Sequence, residues 1–426
     1  MNLRLASSAL LGLLAGSNAR SLTTRTSADR VRAVAGPAIP TSTLVSDFKK
    51  NNVSSHWAEG HPKVWGAEEV KFKGPFVADV SPDEKFVVLA IDANLTIHDL
   101  STRKLVSSVK TDFKGYAQTV TILSGRNGGY DVFVSSRNYS IEDTITGLHL
   151  SPEGTIIGAQ TQYLGRFSSF DGRRGPFSRD GQRFLVQTGT APRSELTIIY
   201  DIDKPHSNVT LAGHTDSIMS SAFSPDGKYV STAAWDGYAK VWNASTGELL
   251  HTFGPTGGQN WLTNFSPDGK YILMTNAGNE PSVNIWPVAN MSSKPIVFKN
   301  FRDWIRTASW TSDSKLLAVG SYGLIQVFSV QNQTAIQRWE SEDRYGYEAW
   351  NLVWIESESG LKLAYRVTAG LEVYDFETNL KYRWGPDDYA QYDGGGSGDG
   401  TYVIKSKGWI GGSDADQSVR FFDFPI

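Results

Sequence analysis

No cysteine occurs in this sequence, so no disulfide can brace it, and a chain of 426 residues must rely on its core instead. That absence fits an oxidising and a reducing compartment equally well. Histidine is scarce, at seven residues, and with no cysteine beside it a metal cluster is not indicated. The one close histidine pair, His56 and His61 in HWAEGH, has the wrong spacing for a helical zinc pair. No metal and no cofactor are expected. Long apolar runs are also missing. The most apolar stretch, LASSALLGLLAG near the N-terminus, is too short to span a bilayer, which excludes an integral membrane segment. An excess of positive charge is absent too, with 41 Lys+Arg against 44 Asp+Glu. Residues 1–35 hold five Arg and one Asp, leaving the remainder at 36 against 43. A mildly acidic body argues against nucleic acid as a partner, since that affinity comes from neutralising phosphates.

What is present suits a soluble all-β protein. Hydrophobic residues make up 40%, charged residues 20% and aromatics 12%, and 41 glycines are scattered along the chain. That mixture favours short strands joined by many tight turns. The N-terminus differs from the rest. MNLR, the apolar run and Ser17-Asn18-Ala19 have the layout of a secretory signal peptide over residues 1–19. The competing reading is a mitochondrial transit peptide, because Arg4, Arg20, Arg25, Arg30 and Arg32 accompany many Ser/Thr and only Asp29 as an acid. Residues 20–55 read as a disordered leader or a surface arm. N-x-S/T sequons at Asn52, Asn94, Asn138, Asn208, Asn243, Asn290 and Asn332 support export. About three would be expected from the Asn, Ser and Thr content. The alternative is that Asn serves simply as a turn residue.

A repeating pattern runs through the rest. FSPDGKYVSTAAWDGYAKVW (223–242) is echoed by FSPDGKYILMTNAGNEPSVNIW (265–286), WTSDSKLLAVGSYGLIQVF (310–328), VSPDEKFVVLAIDANLTIHDL (80–100) and FSRDGQRFLVQTGTAPRSELTIIYD (177–201). Each has an apolar residue, a polar turn, an alternating strand, a second turn and a further strand. Pro presets φ and Gly supplies positive φ in these turns. Weaker copies begin at Ser124, Glu356 and Ser397. The turns therefore start at 81, 124, 178, 224, 266, 311, 356 and 397, at intervals of 41 to 54 residues. SPEG at 151–154 lies too close to the next turn to open a unit, so it reads as a later turn within the second repeat.

One repeat carries a family resemblance. LAGHTDSIMSSAFSPDGKYVSTAAWDGYAKVWNASTGELLHTF (211–253) resembles a WD40 repeat almost throughout. It has the Gly213-His214 pair, the SPDG and WDG turns, and Trp242 at the position that names the family. The resemblance implies a hydrogen-bonded tetrad of His214, Thr232, Asp236 and Trp242. The other repeats are degenerate: Phe328 and Tyr374 take the Trp position, and His98 does so in the first. The implied fold is an all-β, WD40-like β-propeller over residues 56–426, with eight blades, or seven if one repeat is an insertion. Residues 61–72 would supply the outer strand of the last blade and close the ring. Within a WD repeat the residue after the Trp opens a solvent-facing turn, so Asn243 can carry a sequon there without disturbing the strand.

No catalytic signal stands out. GGGSGDG (394–400) lacks the last glycine of a nucleophile elbow and precedes a strand. Asp79, Asp92 and Asp99 could pair in a propeller channel, yet turn and strand-end roles explain them. The resemblance implies a docking face built from the loops entering each inner strand and the loops between second and third strands. By alignment Trp235, Trp261, Trp304, Arg306 and Tyr322 fall on it, residue types that dominate binding hot spots. The competing reading is that these aromatics pack between blades. The leading expectation is an exported, non-catalytic module that binds a protein or peptide. The alternatives are a secreted enzyme acting on a glycan, lactone or natural-product intermediate, and an intracellular (mitochondrial or cytoplasmic) scaffold.

Overall fold

A computed structural model describes residues 49–50, most of 76–384 with short breaks, and 404–405, 409–413 and 419–423. The expected signal peptide, most of the leader, residues 61–72, and the turn beginning at Ser397 lie outside the described residues. All described residues belong to one unit, 35–426.

Among the described residues the chain is built from strands, and its one helical element is the 3-10 turn Val288–Asn290. A short strand, β1 (Lys49–Lys50), comes first. The first sheet contains β2 (Phe76–Val80), β3 (Phe86–Ile91), β4 (Asn94–Asp99) and β5 (Leu105–Lys110). The second contains β6 (Tyr116–Ser124), β7 (Tyr130–Arg137), β8 (Thr144–Leu150) and β9 (Ile156–Leu164). The third has β10 (Arg183–Thr188), β11 (Leu196–Asp201) and β12 (Asn208–Ala212). Then come β13 (Ile218–Phe223), β14 (Tyr229–Ala234), β15 (Ala239–Asn243) and β16 (Leu249–Phe253) in the fourth. The fifth is β17 (Thr263–Phe265), β18 (Tyr271–Asn276), β19 (Ser282–Pro287) and β20 (Ile296–Phe298). The sixth is β21 (Ile305–Trp310), β22 (Leu316–Ser321), β23 (Leu324–Ser329) and β24 (Thr334–Glu340). In the seventh are β25 (Trp350–Ser357), β26 (Gly360–Val367), β27 (Gly370–Asp375) and β28 (Leu380–Trp384), with β1 added parallel to β28. The eighth holds β29 (Ile404–Lys405), β30 (Trp409–Ser413) and β31 (Val419–Asp423). Within each sheet consecutive strands pair antiparallel, and β2 of the first sheet lies against β29 and β30 of the last. The turns expected at 81, 124, 178, 224, 266, 311 and 356 each separate two neighbouring strand segments, and SPEG joins β8 to β9.

The third, fifth and sixth sheets are each buried on both faces by their neighbours, and the alternation of side chains assigns them. In β10, Phe184 and Val186 face the second sheet while Leu185 faces the fourth. In β18, Ile272 and Met274 pack on the fourth sheet and Leu273 on the sixth. In β22, Leu317 and Val319 pack on the fifth sheet and Ala318 on the seventh. No strand of this kind can keep both flanks dry alone, so stacking of successive sheets is what makes the core.

The third sheet departs from the pattern. Among the described residues its inner position shows isolated bridges, Arg166 with Gln187 and Phe177 with Phe184. Pro176, which has no N–H to donate, immediately precedes the second bridge.

The polar turns between first and second strands share one construction. Ser81, Ser178, Ser224, Ser266 and Thr311 donate their hydroxyl to the aspartate two residues on, at 2.6–2.8 Å. Each hydroxyl oxygen in turn accepts the N–H five residues on. Burial opposes ionisation of Asp83, but hydrogen bonds from Tyr130, Ser81 and Lys85 outweigh it and hold its carboxyl at about 2. The same opposition, won again by the hydrogen-bonding partners, lowers Asp180, Asp226, Asp268 and Asp313. A depressed carboxyl stabilises the fold above its unfolded pKa and loses that contribution as pH falls through the folded value. Denaturation midpoints are therefore expected to fall as pH drops from about 4 toward about 2. Asp83→Asn should flatten that slope; an unchanged acid limb in the variant would count against the turn as its source.

Candidate functional site

The fourth sheet carries the tetrad that the resemblance implied, and its members meet. His214 Nδ1 is 2.8 Å from Asp236 Oδ2, and His214 Nε2 is 2.8 Å from Thr232 Oγ1. Trp242 Nε1 donates to the same hydroxyl at 2.9 Å. An indole is donor only, so the direction is fixed. Trp242 donates to Thr232, the Thr232 hydroxyl donates to Nε2, and the Nδ1 proton goes to Asp236. Asp236 also accepts from Thr215 N and Tyr238 N, closing the β14–β15 turn and tying it to the loop entering β13. Burial pulls the Asp236 carboxyl upward, and His214 with these N–H donors brings it below its ordinary value. All four side chains are used up internally, so the tetrad holds a loop in place rather than acting on a substrate.

That loop carries Trp235, whose N–H donates to Ser217 O. Gly237, at φ +85°, lets the chain turn back directly after it. The next connection, from β16 to β17, is fastened alongside: Asn260 N donates to Ala234 O, and Thr256 Oγ1 donates to Asn260 Oδ1. These bonds deliver Trp261 to Trp235, with ring centroids 5.4 Å apart, edge to face. Trp304, from the β20–β21 connection, stacks on Trp261 at 5.3 Å and 26°. The Arg306 guanidinium lies 4.7 Å from the Trp261 ring, 5.2 Å from Trp304 and 5.2 Å from Tyr322, the latter in the β22–β23 turn. The structure thus brings all five aligned residues into one array spanning the fourth, fifth and sixth sheets. Burial is graded across it. Trp261 is buried at 8% exposure, Trp235, Arg306 and Tyr322 are half-buried, and Trp304 stands out at 38%. Packing between sheets therefore accounts for Trp261, while Trp304 forms the exposed platform.

One structural feature was invisible in the sequence. Arg306 is the extra residue of a β-bulge, since Ile305 pairs with Ser321 and Thr307 with Gly320. A bulge re-aims its side chain, and here the side chain lies against the aromatic rings. Met219 in β13 and Gln118 in β6 occupy the same irregularity. A polar cleft of about 460 Å³ opens at the same end of the fifth sheet, lined by Thr256, Asn276, Glu280, Ser282 and Lys299. Lys299 Nζ and Glu280 Oε2 pair across it at 2.8 Å.

The carboxylates considered for a channel dyad serve separate elements. Asp79, on β2, accepts from Val80 N and from Ile122 N of the second sheet, and burial pushes its carboxyl up to about 7. Asp99 is held low by Ser101 and Thr102 in the β4–β5 turn. Asp92, His56, His61 and GGGSGDG lie outside the described residues, as do Asn52 and Asn138. Asn94, Asn208, Asn290 and Asn332 are exposed, and Asn243 is half-buried. Asn208 opens β12, so it sits between the third and fourth strand positions of its sheet rather than at the junction between repeats. Among the described residues no group of three metal-ligating side chains forms, and no helix is long and apolar enough to cross a membrane.

With this geometry in hand, comparison with known proteins is informative. The family model described as "WD domain, G-beta repeat" matches residues 206–243, the repeat that carries the tetrad. The COMPASS component SWD3 of Saccharomyces cerevisiae is 32% identical over 157 residues, covering 36% of this chain and 47% of that protein. The human apoptotic protease-activating factor 1 is 34% identical over 98 residues, or 21% of this chain and 8% of that protein. A serine-threonine kinase receptor-associated protein of Gallus gallus is 25% identical over 128 residues, 30% of this chain and 36% of its own length. The chain spans less than half the length of each of these relatives.

Proposed function

We propose that this chain, one repeat of which matches the WD40 family model and which is similar to WD-repeat proteins, is a non-catalytic module, exported through the secretory pathway, that binds a protein or peptide on its aromatic array. One observation carries this reading: five side chains from three consecutive sheets converge on an exposed Trp304 platform backed by Arg306. Such a site offers large apolar area together with a planar cation, and both are held by packing before any partner arrives. The reading treats the eight sheets as blades of one ring, supported by the contact of β2 with β29 and β30. Export rests on the signal-like residues 1–19 and on the sequons.

Affinity purification with crosslinking, comparing the natural chain with Trp304→Ala and with Leu249→Ala on the outer strand β16, tests the site. The expected result is a partner lost with Trp304→Ala and kept with Leu249→Ala. Equal recovery with both variants would place the contact elsewhere.

A further inference from the structure

The sequons are not distributed evenly over the molecule. Asn208 opens β12 directly after the β11–β12 connection, Asn243 ends β15 directly before the β15–β16 connection, and Asn290 and Asn332 lie within the β19–β20 and β23–β24 connections. These are the same connection, third strand to fourth, in four consecutive sheets. Strand register places all four at one end. Asn208 pairs with Tyr200 beside the β11 terminus, Asn243 pairs with Tyr229, Pro287 pairs with Tyr271, and Ser329 pairs with Leu316. Each partner strand end adjoins the Ser/Thr–Asp turn of its own sheet. Those turns touch from sheet to sheet. Arg183 donates to Gly227 O at 2.7 Å, Gly269 sits against the Pro225 ring, and Asp268 N donates to Ser314 Oγ at 3.0 Å. The third to sixth sheets therefore present a continuous row of such turns at one end. In the fourth to sixth sheets the opposite end carries the aromatic array.

Accessibility sorts the sequons the same way. Glycan transfer uses the amide nitrogen of Asn together with the hydroxyl two residues on. Thr210, Ser245, Ser292 and Thr334 are all exposed, as are Asn208, Asn290 and Asn332. Asn243 spends its Oδ1 on the N–H groups of Ser245 and Thr246, which leaves Nδ2 without a partner among the described residues. At Asn94, on the first sheet, the hydroxyl is different: Thr96 is buried at 2% exposure and bonded to His98.

We propose that Asn208, Asn243, Asn290 and Asn332 carry N-linked glycans that together make one end of these four sheets a sugar-covered face, leaving the aromatic end for the partner. This rests on the export reading above. In each transfer Nδ2 bonds to the anomeric carbon of an oligosaccharide carried on a polyprenyl pyrophosphate. The carbon–oxygen bond to the pyrophosphate breaks, the pyrophosphate leaves with the electron pair, and the amide gives up one proton to the transferase base. Glycans at these connections project beyond the sheet ends and displace none of the packed strands.

The test expresses the full chain in a eukaryotic secretory host in two forms, one with its own N-terminus and one behind an added, unrelated signal peptide. Peptide N-glycosidase release in heavy-oxygen water then marks each occupied Asn as a labelled Asp, read by peptide mass. Labelling at all four sites in both forms is the expected result. Labelling at the four sites only behind the added signal upholds the glycan face and sinks the export reading. Four unlabelled sites in protein that has passed through the pathway behind the added signal overturn the proposal, whatever happens at Asn94.

Discussion

Replacing Trp242 by alanine should lower the unfolding free energy by about 3–5 kcal/mol, a large share of what holds a domain of this kind together. The side chain is 1% exposed and fills the seam between the third and fourth sheets, against Leu185, Ile199, Leu211 and Val230. Truncation removes that contact area, leaves a cavity, and takes away the donor that orients the Thr232 hydroxyl toward His214. Trp242→Phe separates the two contributions. It keeps most of the volume and loses the N–H, so a cost of about 1–2 kcal/mol is expected. Urea midpoints for both variants, with unchanged slopes, give the comparison. If the alanine variant cost no more than the phenylalanine one, the seam between these sheets would not be the stabilising element.

Trp304→Ala should have the opposite profile, with the fold nearly untouched and partner affinity reduced by about 30-fold or more, equivalent to the 2 kcal/mol that defines a hot spot. Its ring is the most exposed of the array, packed against Trp261 and the adjacent guanidinium. Arg306→Ala should weaken binding as well and should also loosen Trp261, because the guanidinium contacts Trp261, Trp304 and Tyr322 together. Arg306→Lys is expected to recover little, since a point ammonium cannot lie flat on the rings. Affinities from titration calorimetry with the recovered partner, beside thermal midpoints, separate binding loss from unfolding. A fall in midpoint matching the loss of affinity would mean that Trp304 is a packing residue.

Much of this architecture was legible because the turns demand particular residues. A hydroxyl followed two positions later by Asp, as in Ser224-Pro225-Asp226, can hardly be replaced without losing two hydrogen bonds, so the turn leaves a strong trace. Where a backbone bond closes the turn, as in Gly125 N to Gly129 O, the trace fades to glycines. The tetrad was legible for the same reason: four specific side chains must meet. What the sequence could not reveal depends on contacts between sheets or on register. Trp261 and Trp304 lie 43 positions apart, and nothing local says that their rings stack. The bulge that presents Arg306 arises from the pairing of β21 with β22, and Met219 at the same position in the fourth sheet shows that no residue type marks it. The bridges at the inner edge of the third sheet were equally hidden, since its sequence carries the same turn as its neighbours.

Sheets that bury both flanks on each other leave their two ends as the surfaces available for recognition, and the proposed partner site lies on the aromatic end. A photo-reactive side chain placed at Tyr322, in the β22–β23 turn, or at Asn332, at the other end of the same sheet, measures this most directly. Partner adducts at position 322 and none at position 332 are the expected outcome. Adducts confined to position 332 would show that recognition happens on the opposite end and would contradict the central claim.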